Sequence, residues 1–141
     1  MKIVVAETEQ VIAVCFPVMF ELRPHLIKDA FVERIQQQQL QGYRLAYVEV
    51  AGKPAAVAGF RICNNLAWGK FLYVDDLVTS AAQRSHGYGA ALLTWLNEYA
   101  VKEGCDQLHL DSGVQRKEAH RFYEREQITV TGFHFARNLR S

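Results

Sequence analysis

Phe71-Leu72-Tyr73-Val74-Asp75-Asp76-Leu77-Val78 runs directly into Thr79-Ser80-Ala81-Ala82-Gln83-Arg84-Ser85-His86-Gly87-Tyr88-Gly89-Ala90-Ala91. The first half reads as a strand. The second carries Arg84-x-x-Gly87-x-Gly89, after which Leu92, Leu93, Trp95, Leu96 and Tyr99 recur at helical spacing. Strand, glycine turn and helix start together suit a phosphate. The first helical N–H groups lack partners within the helix, and the helix dipole adds partial positive charge there. Glycines let an anion approach the backbone closely. Arg84, Ser85, His86, Gly87, Tyr88, Gly89 and Ala90 are therefore read as a pyrophosphate cradle, with His86 as an added donor. Glycine turns of this kind also serve purely structural ends. Neither G-x-G-x-x-G, whose third position is Leu92 here, nor G-x-x-x-x-G-K-[ST] is present.

Upstream, Ile3-Val4-Val5 predicts a first strand. Thr8 is placed as an N-cap before a helical pattern through Val11, Ile12, Val14, Cys15, Val18 and Met19, which Pro17 should kink or break. A second helix is expected over roughly 27–39, with Gly42 as a left-handed cap. From Tyr43 the period becomes two. A strand, the turn Ala51-Gly52-Lys53-Pro54, a returning strand over Ala55 to Ile62 and the strand ending at Val78 form three antiparallel neighbours. Gly104 should stop the helix that leaves the cradle. Downstream are a strand over Gln107 to Asp111, a short helix over Arg116 to Arg125 and a last strand over Ile128 to Ala136. A crossover helix returns the chain in the same direction, so the strands on either side of the cradle helix should be parallel. The expected fold is α/β in the α+β sense. It has a mixed, mostly antiparallel sheet of six to seven strands, about four helices and one domain over residues 1–141.

Composition narrows the partners. The chain has 141 residues, half of them hydrophobic, which is enough for a sizeable core. Sixteen basic against fifteen acidic residues give a formal charge of +1, which offers nothing to nucleic acid or to a membrane surface. Cys15, Cys63 and Cys105 are isolated and odd in number. They fit buried apolar groups in a reducing cytoplasm rather than a disulfide framework. The N-terminus lacks the apolar segment of a signal peptide, so a soluble, cytoplasmic protein is expected. The five histidines show no H-x-x-x-H or H-x-x-E-H spacing, and no metal site is expected.

Two further places carry chemistry. Asp75-Asp76 enters the cradle from the strand, and strand alternation allows only one of the pair to face a cleft. A carboxylate there accepts a proton from an ammonium substrate directly or through water. The plain alternative has one aspartate solvated and the other bonded to backbone. Phe122-Tyr123 closes the short helix, and side chains about 100° apart let Phe122 be core while Tyr123 points elsewhere. With an ordinary pKa of about 10, the Tyr123 phenol is protonated at neutral pH and suits a departing thiolate as general acid. The plain alternative is an amphipathic core tyrosine.

Arg84-Ser85-His86-Gly87-Tyr88-Gly89 resembles the acyl-coenzyme-A loop, Q/R-x-x-G-x-G/A, of the GNAT superfamily of N-acetyltransferases. Ala119-His120-Arg121-Phe122-Tyr123-Glu124-Arg125 resembles that family's A-x-x-F-Y-x-(K/R) helix. The resemblance covers roughly residues 1–136. It implies that the amides of Arg84 to Ala90 bind the pyrophosphate of acetyl-CoA and that Leu77, Val78 and Thr79 pair with the pantetheine arm. It also implies that Tyr123 sits near the coenzyme sulfur. Tyr73 to Val78 resembles the Y-[IL]-E-D segment of polyamine acetyltransferases, in which a glutamate matching Asp75 assists amine deprotonation. The shorter aspartate here favours a bridging water. Two positions depart from the pattern. Gln115-Arg116 stands where the family often has an asparagine touching the coenzyme, and Glu126-Gln127 follows the short helix where a glycine is common.

The resemblance implies direct acetyl transfer from acetyl-CoA to a primary amine, with a small cationic acceptor favoured. A protein or peptide N-acetyltransferase and a silent CoA-binding regulatory module are the alternatives. A homodimer is left open, since many relatives pair.

Overall fold

In the computed structural model, which describes residues 1–140, the chain begins with strand β1 (Lys2–Val5) and the short helix α1 (Glu9–Ala13). Thr8 caps α1 as its sequence position predicts, its hydroxyl accepting from the Val11 N–H at 3.3 Å. Helix α2 (Phe16–Leu22) follows after Val14 and Cys15. Pro17 sits in the first turn of α2, where a missing N–H costs nothing, so of the expected kink or break the structure shows a break between two helices. Helix α3 (Lys28–Gln39) comes next, and Gly42 takes the left-handed conformation, φ 93°, beyond its end.

Strands β2 (Arg44–Val50), β3 (Lys53–Asn65) and β4 (Gly69–Thr79) form the antiparallel meander that the period-two pattern predicts. Ala51 and Gly52 turn between the first two with positive φ at both positions, the twist a tight hairpin needs. Helix α4 (Tyr88–Lys102) then crosses to β5 (Gln107–Leu110), which lies parallel to β4. Gly104, at φ 77°, ends α4. The strand order is β1-β2-β3-β4-β5.

Successive residues of β2 are buried on both faces, because helices cover both sides of the sheet. Leu45 and Tyr47 pack with Ile12, Cys15, Met19 and Phe31 of the α1–α3 layer. Phe60 of β3 faces the other way and meets Trp95 and Tyr99 of α4 edge-on, at 5.8 and 5.1 Å. Of the three cysteines expected as buried apolar groups, Cys15 is buried, and burial pushes its thiol up to about 12, whereas Cys63 and Cys105 are only half-buried.

The described residues divide into two compact units, Met1–Leu110 and the part from Asp111 onward. The second contains α5 (Lys117–Arg125). The sheet therefore holds five strands, not six to seven, and the described residues form five α-helices rather than about four. Residues 128–136 carry a strand's apolar alternation but belong to no ladder, and Val130, Phe133 and Phe135 are exposed. Alternation marks a segment able to pair, whereas a strand exists only when a partner supplies its hydrogen bonds.

Candidate active site

The pairing of β4 sets the geometry. On one side it is bonded to β3 along its whole length, from Gly69 opposite Asn65 to Thr79 opposite Ala56. On the other, β5 accompanies only Phe71 to Val74. From Asp75 to Thr79 no described strand lies on that side, which leaves an open edge through Leu77, Val78 and Thr79. This edge leads through Ser80 and a single 3-10 turn, Ala81–Gln83, to the start of α4. Ser85 and Gly87 both adopt left-handed φ, 67° and 79°. Gly87 is the N-cap of α4 with no side-chain bond to the helix, and the first helical bond is donated by Ala91 to the Gly87 carbonyl. Among the described residues, no hydrogen bond is donated by the N–H groups of Ser85 to Ala90. His86 is exposed, with Nδ1 3.0 Å from the Arg84 carbonyl, and its ring stacks on Tyr88. The backbone amides of this turn are thus without a protein acceptor, as an anion site requires.

A β-bulge changes the reading of the acidic pair. Gly59 faces Asp76 and Phe60 faces Val74, so Asp75 is an extra residue in β4. The bulge breaks the alternation that would have put the two carboxylates on opposite faces. Asp75 and Asp76 both line one cavity of about 460 Å³, together with Met19, Arg23, His25 and Arg34. Neither aspartate is merely solvated or bonded to backbone. Arg61 grips Asp75 through Nε, 3.2 Å from each carboxylate oxygen, and through Nη2 at 2.7 Å from Oδ2. Asp76 accepts from Arg23 Nε at 2.9 Å and from the Tyr43 hydroxyl at 2.8 Å. Burial raises the Asp75 carboxyl above its ordinary pKa against the opposing pull of Arg61. Burial, then the charge of Asp76, lifts the Tyr43 phenol well above its own, so Tyr43 remains a donor.

Tyr123, Gln115 and Arg116 belong to the second unit. There Tyr123 is buried and Phe122 only half-buried, the reverse of the expected roles, with ring centroids 5.4 Å apart. Burial raises the Tyr123 phenol pKa, while the charge and hydrogen bond of Arg116 oppose the rise. Arg116 is the N-cap of α5. Gln127 takes a left-handed φ of 66° just past that helix, the conformation a glycine would supply there.

The acetyltransferase (GNAT) family model matches residues 6–127. The chain belongs to that family. An uncharacterized N-acetyltransferase of Bacillus subtilis, YhdJ, is 34% identical over 122 residues, covering 85% of this chain and 86% of the relative. An aminoalkylphosphonate N-acetyltransferase of Salmonella typhimurium is 29% identical, covering 94% and 86%. The fold superposes on an aminoglycoside N-acetyltransferase solved in complex with CoA, with a TM-score of 0.83 at 12% identity, covering 99% and 96%. The protein is accordingly an N-acetyltransferase.

Four site residues of this acetyltransferase carry no signal in the linear chain. Arg23, Tyr43 and two residues of β3, Gly59 and Arg61, reach Asp75-Asp76 from distant parts of the chain, and Arg23 and Asp76 are 53 residues apart. Glu21 also escapes notice. Its carboxylate accepts from the Ala81 N–H at 2.8 Å and so fastens α2 to the turn ahead of the cradle. No helix among the described residues is long and apolar enough to cross a membrane.

Proposed function

We propose that this acetyltransferase moves the acetyl group of acetyl-CoA directly onto the amine of a small molecule seated in the cavity between α2, α3 and β4. One observation carries the reading. The open β4 edge, from Asp75 to Thr79, runs into the unpaired amides that start α4. An extended amide-bearing arm pairs with such an edge as an added strand does, and a diphosphate suits the amides from Ser85 to Ala90. Acetyl-CoA, when bound, supplies a thioester carbonyl open to attack by an amine. The CoA held by the aminoglycoside enzyme of the same fold supports the same donor here. The names of that enzyme and of the aminoalkylphosphonate enzyme support a small-molecule amine as acceptor.

Each of this chain's residues has a definable task. Backbone donors near Val78 polarise the carbonyl under attack. Asp75, made more basic by burial, takes the amine's proton directly or through a water. Asp76 holds Tyr43 and Arg23 in place. Tyr123 keeps its proton at neutral pH and is the donor to the departing sulfur. Gln115 and Arg116 complete the coenzyme side.

Acetyl-CoA should raise Tm by about 5–10 °C at a hundredfold excess over Kd, and an amine should then release free CoA thiol. No thermal shift at millimolar acetyl-CoA would end the reading. Gly87→Ala should weaken acetyl-CoA about tenfold or more, since an L-residue at φ 79° is strained by about 1–2 kcal/mol and its Cβ enters the phosphate path. No protein atom lies within 4 Å of that added carbon, so Tm without ligand should fall only by the backbone strain, about 3–8 °C. Unchanged affinity by titration calorimetry would move the diphosphate elsewhere.

A further inference from the structure

The charges around the cavity are unequally matched. Asp75 and Asp76 supply two carboxylates, and both are already engaged, the first by Arg61 and the second by Arg23 and Tyr43. Arg23 spends a further donor on the Asp75 carbonyl. Arg34 is different. It lies on the α3 face that also sends Phe31, Ile35 and Gln38 into the cavity wall, at helical spacings of three and four. Gln38 is occupied by Arg61 at 2.9 Å. Among the described residues the Arg34 guanidinium has no ion pair or hydrogen bond, and His25 beside it in the lining has none either. Three guanidinium groups thus stand against two carboxylates, and the unspent charge in the wall is positive. A polyamine entering here would bring its second cation against an arginine that repels it. An amine with an acidic group would find a counterpart for each end.

We propose that the acceptor is a small amine bearing an acidic group, its amine directed to Asp75 on β4 and its anion held by Arg34, with His25 as a second donor. This rests on reading the cavity as the acceptor site. A guanidinium binds a phosphonate or carboxylate through paired, charge-assisted hydrogen bonds, which a neutral or cationic substituent does not use. Arg34 is therefore the residue that determines acceptor specificity.

The test measures kcat/KM by thiol release for 2-aminoethylphosphonate, β-alanine, ethylamine and putrescine, with saturating acetyl-CoA. At least one acidic amine should exceed both ethylamine and putrescine by roughly ten- to a hundredfold, the gain expected from charge-assisted hydrogen bonds. Phosphonate and carboxylate are separate arms and show which anion the wall prefers. Arg34→Gln should collapse that preference toward unity, and Arg34→Lys, which keeps the charge, should retain part of it. Arg34 is exposed, so both variants should melt close to the parent. Preference for putrescine or ethylamine overturns the proposal, as does a preference for acidic amines that survives Arg34→Gln. If no amine in the panel releases thiol, the transferase reading of the cavity falls as well. A reversed preference removes only the anion assignment.

Discussion

Gly59→Ala lowers the unfolding free energy by about 3 kcal/mol or more, the sum expected from overpacking and a broken buried hydrogen bond. A Cβ on Gly59 would lie 1.7 Å from the Tyr43 hydroxyl oxygen, 2.3 Å from Cζ and 2.6 Å from Cε2. Tyr43 cannot swing aside cheaply. Its ring is 3% exposed and packed among Cys15, Phe31 and Val57, and its hydroxyl is bonded to Asp76. Moving it would also strip one donor from the Asp76 carboxylate and disturb the cavity floor. Tyr43→Phe gives no relief, because ring carbons as well as the hydroxyl are in the way. Tyr43→Ala does. In that background the added Gly59→Ala should cost little, and the double-mutant coupling should nearly equal the cost of Gly59→Ala alone. Urea denaturation of the four proteins measures this. A Gly59→Ala loss below about 1 kcal/mol, a typical value for an ordinary substitution, would mean the contact yields easily.

Tyr123→Phe lowers kcat by about a hundredfold or more, the usual worth of a positioned general acid, and leaves KM for acetyl-CoA little changed. The phenylalanine keeps the buried ring and removes only the hydroxyl. The pH dependence follows from the shift. Burial raises the Tyr123 pKa, so the acid form persists past the ordinary phenol value of about 10 and the alkaline limb of kcat lies above it. The same sign holds for stability. The favourable contribution is present below the unfolded pKa and fades as pH rises through the folded one. Arg116 opposes the rise because its charge favours the phenolate, so Arg116→Gln should move the limb further up. Rates measured at saturating acetyl-CoA separate this from any loss of coenzyme affinity. An unchanged kcat in Tyr123→Phe, or a limb that moves down in Arg116→Gln, would remove Tyr123 from proton transfer.

The two predictions concern residues of different legibility. Tyr123 stands in a local pattern, Phe-Tyr in a short helix, and its position can be noticed in the chain itself. Gly59 sits in an unremarkable strand, Ala56-Val57-Ala58-Gly59-Phe60, and its importance comes entirely from a tyrosine 16 residues upstream. The same contrast divides the sheet. The β2–β3–β4 meander, the break at Pro17, the Gly42 and Gly104 stops and the parallel return of β5 all follow from short-range rules of period, turn chemistry and capping. The strand expected over residues 128–136 fails because its alternation is a local property and its pairing is not.

The sequence alone determined the order of elements as far as the Phe122-Tyr123 helix, the turn at Gly87 and the family that this turn and that helix announce, since each is written in residues close together in the chain. Only the tertiary structure decided which charges surround Asp75-Asp76. The bulge opposite Gly59 depends on the pairing of two strands, and it turns both carboxylates into one cavity. Arg23, Arg61 and Tyr43 then claim them, and Arg34 keeps its charge free. The physical reason is range. Backbone preference acts over a few residues, while the compensation of a half-buried charge depends on whatever distant side chain the fold brings within about 3 Å.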